Sequence, residues 1–149
     1  MRTDVDLPPR RRLTELNRRA DDRGEFAELL VAEMFDALHK PGEAEWYDCR
    51  SSSGTKYEVK STETELGNGA PGRFRLWDDQ HRSLLASSST GTAWYVFVLF
   101  EDSGIRDVRR ARPPTVTRLV QEVGDGEWDL SGHARGEQQQ QKLPWEEVF

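Results

Sequence analysis

Three charged residues, Asp48, Glu58 and Lys60, could form a reaction centre on one hairpin. Segments 46–50 and 56–61 are predicted to be its two arms, joined by a Ser-Ser-Ser-Gly turn. Because side chains alternate between the faces of a strand, Glu58 and Lys60 share one face. A turn that is symmetric about its third serine sets Asp48 directly opposite Glu58, with Cβ atoms about 5 Å apart.

Two opposed carboxylates repel each other unless a positive charge lies between them. The candidates are a divalent cation and the ammonium group of Lys60. Mg²⁺ suits such a pair, because it keeps several waters and takes substrate phosphate oxygens, and Mn²⁺ would substitute for it. A bound ion lowers the pKa of a water ligand, and Lys60 could hold or deprotonate the attacking water. The alternative is an exposed hairpin that carries scattered charges without chemistry.

The pattern Asp-x9-Glu-x-Lys on a hairpin resembles the core of the PD-(D/E)XK nuclease superfamily. The preceding segment 24–31, with the sequence GEFAELLV, resembles the Gly-x-x-(Ala)-Glu helix that opens archaeal Holliday junction resolvases. Together these matches cover residues 24–100, about half of the chain. Tyr47 stands where a proline often precedes the first acidic residue, a departure that is common in the superfamily.

The resemblance implies an α/β fold with a restriction-endonuclease-like mixed β-sheet flanked by helices. It places the helix with Glu28 on one face of the sheet and the helix with Gln80 on the other. Glu28 is expected to complete or support a metal site held by Asp48 and Glu58, with Glu25 in reserve. Gln80 is expected to face the active site. The implied catalytic residues are Glu28, Asp48, Glu58, Lys60 and Gln80.

The implied activity is metal-dependent hydrolysis of DNA phosphodiester bonds. The closest resemblance is to resolvases, which act as homodimers on four-way DNA junctions. One alternative is a restriction, repair or mobile-element nuclease with the same fold and a different DNA target. Another is a non-catalytic protein that has kept the fold and binds DNA or a protein partner. The intact acidic pair and lysine favour an enzyme.

The composition indicates a charged, cytoplasmic protein. Of 149 residues, 32% are charged and 35% are hydrophobic, and the net charge is −6. A negative charge is unusual for a protein that binds DNA by charge alone, but a metal would neutralise an acidic site. An acidic surface poor in lysine is typical of high-salt cytoplasm, although a GC-rich genome would also favour arginine. Cys49 is the only cysteine, and neither a disulfide, a signal peptide nor a membrane span is expected.

The chain is predicted to have three parts. Residues 1–20 contain a run of arginines that predicts a flexible basic arm, which either contacts DNA or is merely solvated. Residues 21–125 are the nuclease-like domain, which opens with a helix over 22–39 ended by Pro41-Gly42. Residues 126–149 are a polar tail with a hydrophobic end, which either docks on a protein partner or packs on the chain's own core.

Further elements are predicted inside the nuclease-like domain. The apolar run 93–100 predicts a strand that is covered on both faces, followed by an edge strand over 105–110. Helices are predicted over 78–86 and 114–123. His81 is expected to be a surface histidine or a hydrogen-bonded one rather than a metal ligand, because no second histidine stands at ligand spacing.

Overall fold

The computed structural model describes residues 6–102, 104–124, 129–130 and 139–149. No helix in these ranges is long and apolar enough to cross a membrane. The described elements are α1 (Arg10–Arg19), α2 (Arg23–Met34), β1 (Leu38–Ala44), β2 (Tyr47–Arg50), β3 (Lys56–Glu63), β4 (Arg73–Trp77), α3 (Asp78–Ser88), β5 (Ala93–Glu101), β6 (Gly104–Ala111), α4 (Pro113–Gly124), β7 (Asp129–Leu130), β8 (Gln139–Pro144) and α5 (Trp145–Val148).

The main sheet has five strands in the order β1-β2-β3-β5-β6. Strands β3 and β5 are parallel, whereas the other neighbouring pairs are antiparallel. Parallel neighbours need a long crossover connection, and β4 with α3 provides it here. A second sheet contains three strands in the order β4-β8-β7.

Strand β5 divides the hydrophobic core into one cluster on each face of the main sheet. Val96 and Val98 pack with buried side chains of α2 on one face. Tyr95 and Phe97 point the other way and pack with Leu84 of α3. The predicted mixed α/β sheet, with these two helices on opposite faces, is confirmed. The predicted edge strand is also confirmed, because β6 lies at one end of the sheet order.

Helix α2 is shorter than predicted. It ends at Met34, and Asp36 has a positive φ of 52°, which a continuing right-handed helix does not allow. Residues 38–44 form β1 instead of the last helical turn, so the prediction that Pro41-Gly42 ends the helix is wrong. Strand β1 tolerates this proline because it is an edge strand whose pairing with β2 is irregular before Ala44.

The predicted flexible arm is wrong for residues 10–19, which form α1. Leu16 is 2% exposed and belongs to the same buried cluster as Leu30 of α2. On the solvent side, Arg12 donates to both carboxylate oxygens of Glu33, each at 2.8 Å. An amphipathic helix that packs on α2 therefore replaces the arm. The first five residues of the predicted arm lie outside the described residues.

Leu16→Ala should destabilise the protein by about 2–4 kcal/mol, because it removes a fully packed side chain and leaves a cavity. Leu38→Ala is the matched control, since Leu38 is 55% exposed and its truncation should have little effect. Urea unfolding of both variants measures the difference. Equal stability of the two variants would contradict the packing of α1 on the domain.

The end of the predicted polar tail is part of the fold. Strand β8 pairs with β4, and Leu143 and Val148 are buried in the cluster on the α3 face. The indole of Trp145 donates a hydrogen bond to the carbonyl of Thr64 at 3.0 Å. Of the two readings of this hydrophobic end, packing on the chain's own core is therefore the one observed. Residues 125–128 and 131–138 of the chain lie outside the described ranges.

Candidate active site

The β2–β3 hairpin has the register predicted from its turn. Cys49 pairs with Tyr57 and Arg50 pairs with Lys56, so the same register sets Asp48 opposite Glu58. Asp48 is also tied to the neighbouring strand, because its Oδ2 accepts a hydrogen bond of 2.9 Å from the backbone N–H of β3 residue 59. The hairpin thus fixes the first acidic residue against the strand that carries the second.

Alternation along β3 directs the charged residues away from the α2 core. Tyr57 and Val59 pack in or against the α2 cluster, so Glu58 and Lys60 point to the α3 face. Glu58 is only 4% exposed, and its parallel neighbour on β5 is Tyr95. A carboxylate is seldom buried to this extent without a compensating charge.

The environment of Glu58 disfavours a second negative charge. Burial is the main cause that raises the pKa of Glu58 to about 8, and the neighbouring carboxyl of Asp48 raises it further by charge and by a hydrogen bond. The ammonium group of Lys60 opposes this rise, since its Nζ lies 3.0 Å from Glu58 Oε2. The two carboxyls therefore converge at one place, and the charge of Lys60 is less than is needed to keep both of them ionised.

The acidic pair fits a hard divalent cation. Among the described residues, no three His, Cys, Asp or Glu side chains are grouped so that they could hold a metal ion together. Two carboxylates are nevertheless sufficient for Mg²⁺, which keeps waters and substrate phosphates as its other ligands. Asp48 and Glu58 are the residues that could hold such an ion, and its charge would allow Glu58 to lose its proton.

Lys60 is held by two partners from different elements. Its side chain is 11% exposed, and besides Glu58 it donates to Oε1 of Gln80 at 3.0 Å. Gln80 lies in the first turn of α3, and its Nε2 donates to the backbone carbonyl of Glu45 at 2.6 Å. The two bonds give the carboxamide one orientation, with its oxygen toward the lysine. Gln80 thus aligns the ammonium group beside the acidic pair.

Glu28 approaches Asp48 from helix α2. Burial and then the charge of Asp48 raise the pKa of Glu28, while a hydrogen bond from His39 opposes the rise. His39 Nε2 lies 2.7 Å from Glu28 Oε1. Glu25 has a different position, because its carboxylate accepts a bond from the backbone N–H of Asp21 at the start of the helix. Of the two candidates, Glu28 is the one whose pKa is raised by the charge of Asp48.

The sequence was also compared with models of protein families. A model described as the PD-(D/E)XK nuclease superfamily domain matches residues 14–149. The chain belongs to the PD-(D/E)XK nuclease superfamily. The match begins inside α1 and continues through β8 and α5. These elements lie in the predicted arm and tail, outside the predicted nuclease-like domain over residues 21–125. No curated protein matches the chain in sequence.

Membership of the PD-(D/E)XK superfamily makes the chain a nuclease domain with a nucleic-acid substrate. The five-stranded mixed sheet with helices on both faces is consistent with the restriction-endonuclease-like fold of that superfamily. PD-(D/E)XK nucleases usually use divalent metal ions.

Two groups near the site were not anticipated from the sequence. His39 holds Glu28, and the carbonyl of Glu45 holds Gln80. The sequence-based interpretation placed His39 at the end of a helix, whereas it lies on β1 beside α2. No sequence signal could reveal the carbonyl, because every residue has one and only the fold selects its partner.

Of the two alternatives for His81, the structure shows a buried, hydrogen-bonded histidine rather than a surface one. Its Nδ1 lies 2.7 Å from the hydroxyl of Tyr95, and its Nε2 lies 2.8 Å from Oγ1 of Thr117. Burial lowers the pKa of His81 to about 4, so the ring is neutral near pH 7. The histidine therefore joins α3 to β5 and α4 behind the acidic pair, and both ring nitrogens are already bonded.

Proposed function

We propose that this protein is a metal-dependent endonuclease that hydrolyses phosphodiester bonds of DNA. The observation that carries the proposal is the convergence of Asp48, Glu58 and Lys60 at one buried point of the β3 strand. Two carboxylates that share limited space favour a cation, and a lysine beside them supplies a positive charge for the reacting group.

Asp48 and Glu58 are proposed to hold Mg²⁺, for which Mn²⁺ would substitute. When bound, the ion would lower the pKa of a water ligand and offset the charge of the phosphodiester. Glu58 contributes through its burial. Because little water reaches its carboxylate, a bound cation would stabilise the ionised form strongly. Asp48 contributes through its fixed position, because the backbone of β3 donates to one of its oxygens.

Lys60 is proposed to position the attacking water and to stabilise negative charge that develops on the phosphate. Its two hydrogen-bond partners hold the ammonium group in one place, which reduces the reorganisation needed during the reaction. Gln80 is proposed to act through Lys60, and Glu28 is proposed to support the site by its charge on Asp48. His39 would keep that carboxylate in place.

Four-way DNA junctions are the proposed substrate class. The protein would then act as a Holliday junction resolvase in the form of a homodimer. The support for this assignment is the Gly24 to Glu28 segment, which opens the α2 helix and precedes the catalytic hairpin as in the archaeal resolvases that it resembles. A restriction, repair or mobile-element nuclease is the alternative on the same fold. A protein that binds DNA without cutting it is the alternative of a different class.

The activity is tested with labelled four-way junction, flap, duplex and single-stranded DNA, in Mg²⁺, in Mn²⁺ and in EDTA, at low and at molar salt. We expect cleavage with either metal and none in EDTA, with the junction cut fastest. A Glu58→Ala preparation made in parallel controls for contaminating nucleases. Preference for another DNA would contradict the resolvase assignment, and a wild-type protein that binds DNA but cuts nothing would contradict the enzyme.

A further inference from the structure

The outer face of the second sheet carries cations that have no acidic partner among the side chains that the structure describes. In β4, Phe74 and Leu76 are fully buried, whereas the alternate residues Arg73 and Arg75 are exposed. Lys142 of β8 lies directly opposite Arg75 in the antiparallel pairing. This surface is called the β4–β8 face below; it comprises Arg73, Arg75, Trp77, Gln140 and Lys142.

The opposed pair on this face is unfavourable by itself. Like charges directly across an antiparallel pair destabilise a sheet, and here they occur in a chain with a net charge of −6. Among the side chains that the structure describes, no carboxylate forms an ion pair with Arg75 or Lys142. Glu146 and Glu147 line a cleft beside Arg73 but do not pair with it. A bound anion would relieve the repulsion between Arg75 and Lys142.

A cleft on the same face has room for such an anion. Its volume is about 230 Å³, and its walls include Arg73, Gln140 and Lys142. Gln140 is 8% exposed, and its side-chain oxygen is buried without a hydrogen-bond partner in the described part of the chain. The cations suit phosphate oxygens, while the free acceptor suits a hydroxyl or amino group of a sugar or base. This combination matches a nucleotide better than it matches an isolated inorganic ion.

The β4–β8 face is joined to the active site by a short stretch of chain. Trp77, whose ring centroid lies 6.0 Å from the guanidinium carbon of Arg75, is the residue that precedes α3. Gln80 follows three residues later and contacts Lys60. We propose that the β4–β8 face binds the phosphate backbone of the DNA beyond the cleaved bond. This inference rests on the proposed function and adds a substrate-binding surface to it.

The test is DNA binding by Lys142→Glu and Arg75→Glu, measured by fluorescence anisotropy in EDTA with labelled single-stranded and duplex DNA. Each variant should bind about tenfold more weakly at low salt, and the dependence of log K on log[salt] should become shallower by about one unit. Lys142→Glu should not lower the stability of the fold, because it turns a repulsive cross-strand pair into an attractive one. A loss of binding together with equal or higher thermal stability separates recognition from damage.

Arg118→Glu is the matched control, since Arg118 is an exposed arginine on α4 whose bond is to Thr115 of its own helix. It makes the same change in net charge and should weaken binding far less. Three results would overturn the inference. They are equal losses of binding in all three variants, unchanged binding by both β4–β8 variants, and a wild type that does not bind DNA. Cleavage in Mg²⁺ is scored separately. Binding that depends on the β4–β8 face without cleavage would refute the nuclease activity alone, and cleavage by a protein whose variants bind normally would refute the face alone.

Discussion

Glu58→Ala should abolish DNA cleavage, with a loss on the order of 10³-fold or more in rate, while DNA binding is unchanged or tighter. The loss follows because the proposed ion would retain only Asp48 as a protein ligand. Binding need not fall, since removal of a carboxylate also removes its repulsion from phosphate. Cleavage assays, gel shifts and calorimetric titration with Mg²⁺ measure the three effects separately.

Glu63→Ala is the matched control for this experiment. Glu63 ends the same strand, and its side chain is 47% exposed and pairs with Arg23 at 3.2 Å. Its truncation should leave cleavage and metal binding intact. Glu58→Ala should also remain folded, because burial of this carboxyl, with its raised pKa, opposes folding near pH 7. Full cleavage by the Glu58→Ala variant would contradict the proposed site. Loss of its fold would contradict the expectation that the buried carboxyl opposes folding near pH 7.

Lys60→Ala should reduce the cleavage rate by roughly 10²-fold and retain metal binding, because the proposed role of the lysine concerns water and developing charge. It should also shift metal binding to higher pH. The ammonium group lowers the pKa of Glu58, so its removal raises that pKa and the carboxyl keeps its proton to a higher pH. Cleavage rates and Mg²⁺ titrations across a pH series measure both effects.

Gln80→Leu separates the orientation of Lys60 from its charge. The substitution removes the acceptor at 3.0 Å and the bond to the carbonyl of Glu45 but leaves the lysine and its pair with Glu58. We expect a smaller rate loss than for Lys60→Ala and no change in the pH at which Mg²⁺ binds.

A Lys60→Ala variant with normal rate, or one that no longer binds metal at any pH, would contradict the role assigned to the lysine.

Features that depend on neighbouring residues were determined by the sequence itself. The serine-rich turn and the alternation of its arms fix the register that brings Asp48 opposite Glu58. The apolar run of β5 is long enough to require cover on both faces, and α3 follows its predicted bounds closely. In each case the interactions that decide the structure join residues that are close together in the chain, so a local pattern carries them.

Features that depend on distant residues were decided only by the tertiary structure. A glutamate and a histidine eleven positions apart meet because α2 ends early and β1 returns beside it. The sequence predicted that the segments of helix α1 and strand β8 are polar ends of the chain. Leu16 and Leu143 are nevertheless buried in the two core clusters, whose other members come from distant parts of the chain. Gln80 finds its acceptor 35 positions away. A few apolar side chains within a charged segment form no pattern of their own, and their burial becomes favourable only when the assembled domain supplies the surface that excludes water.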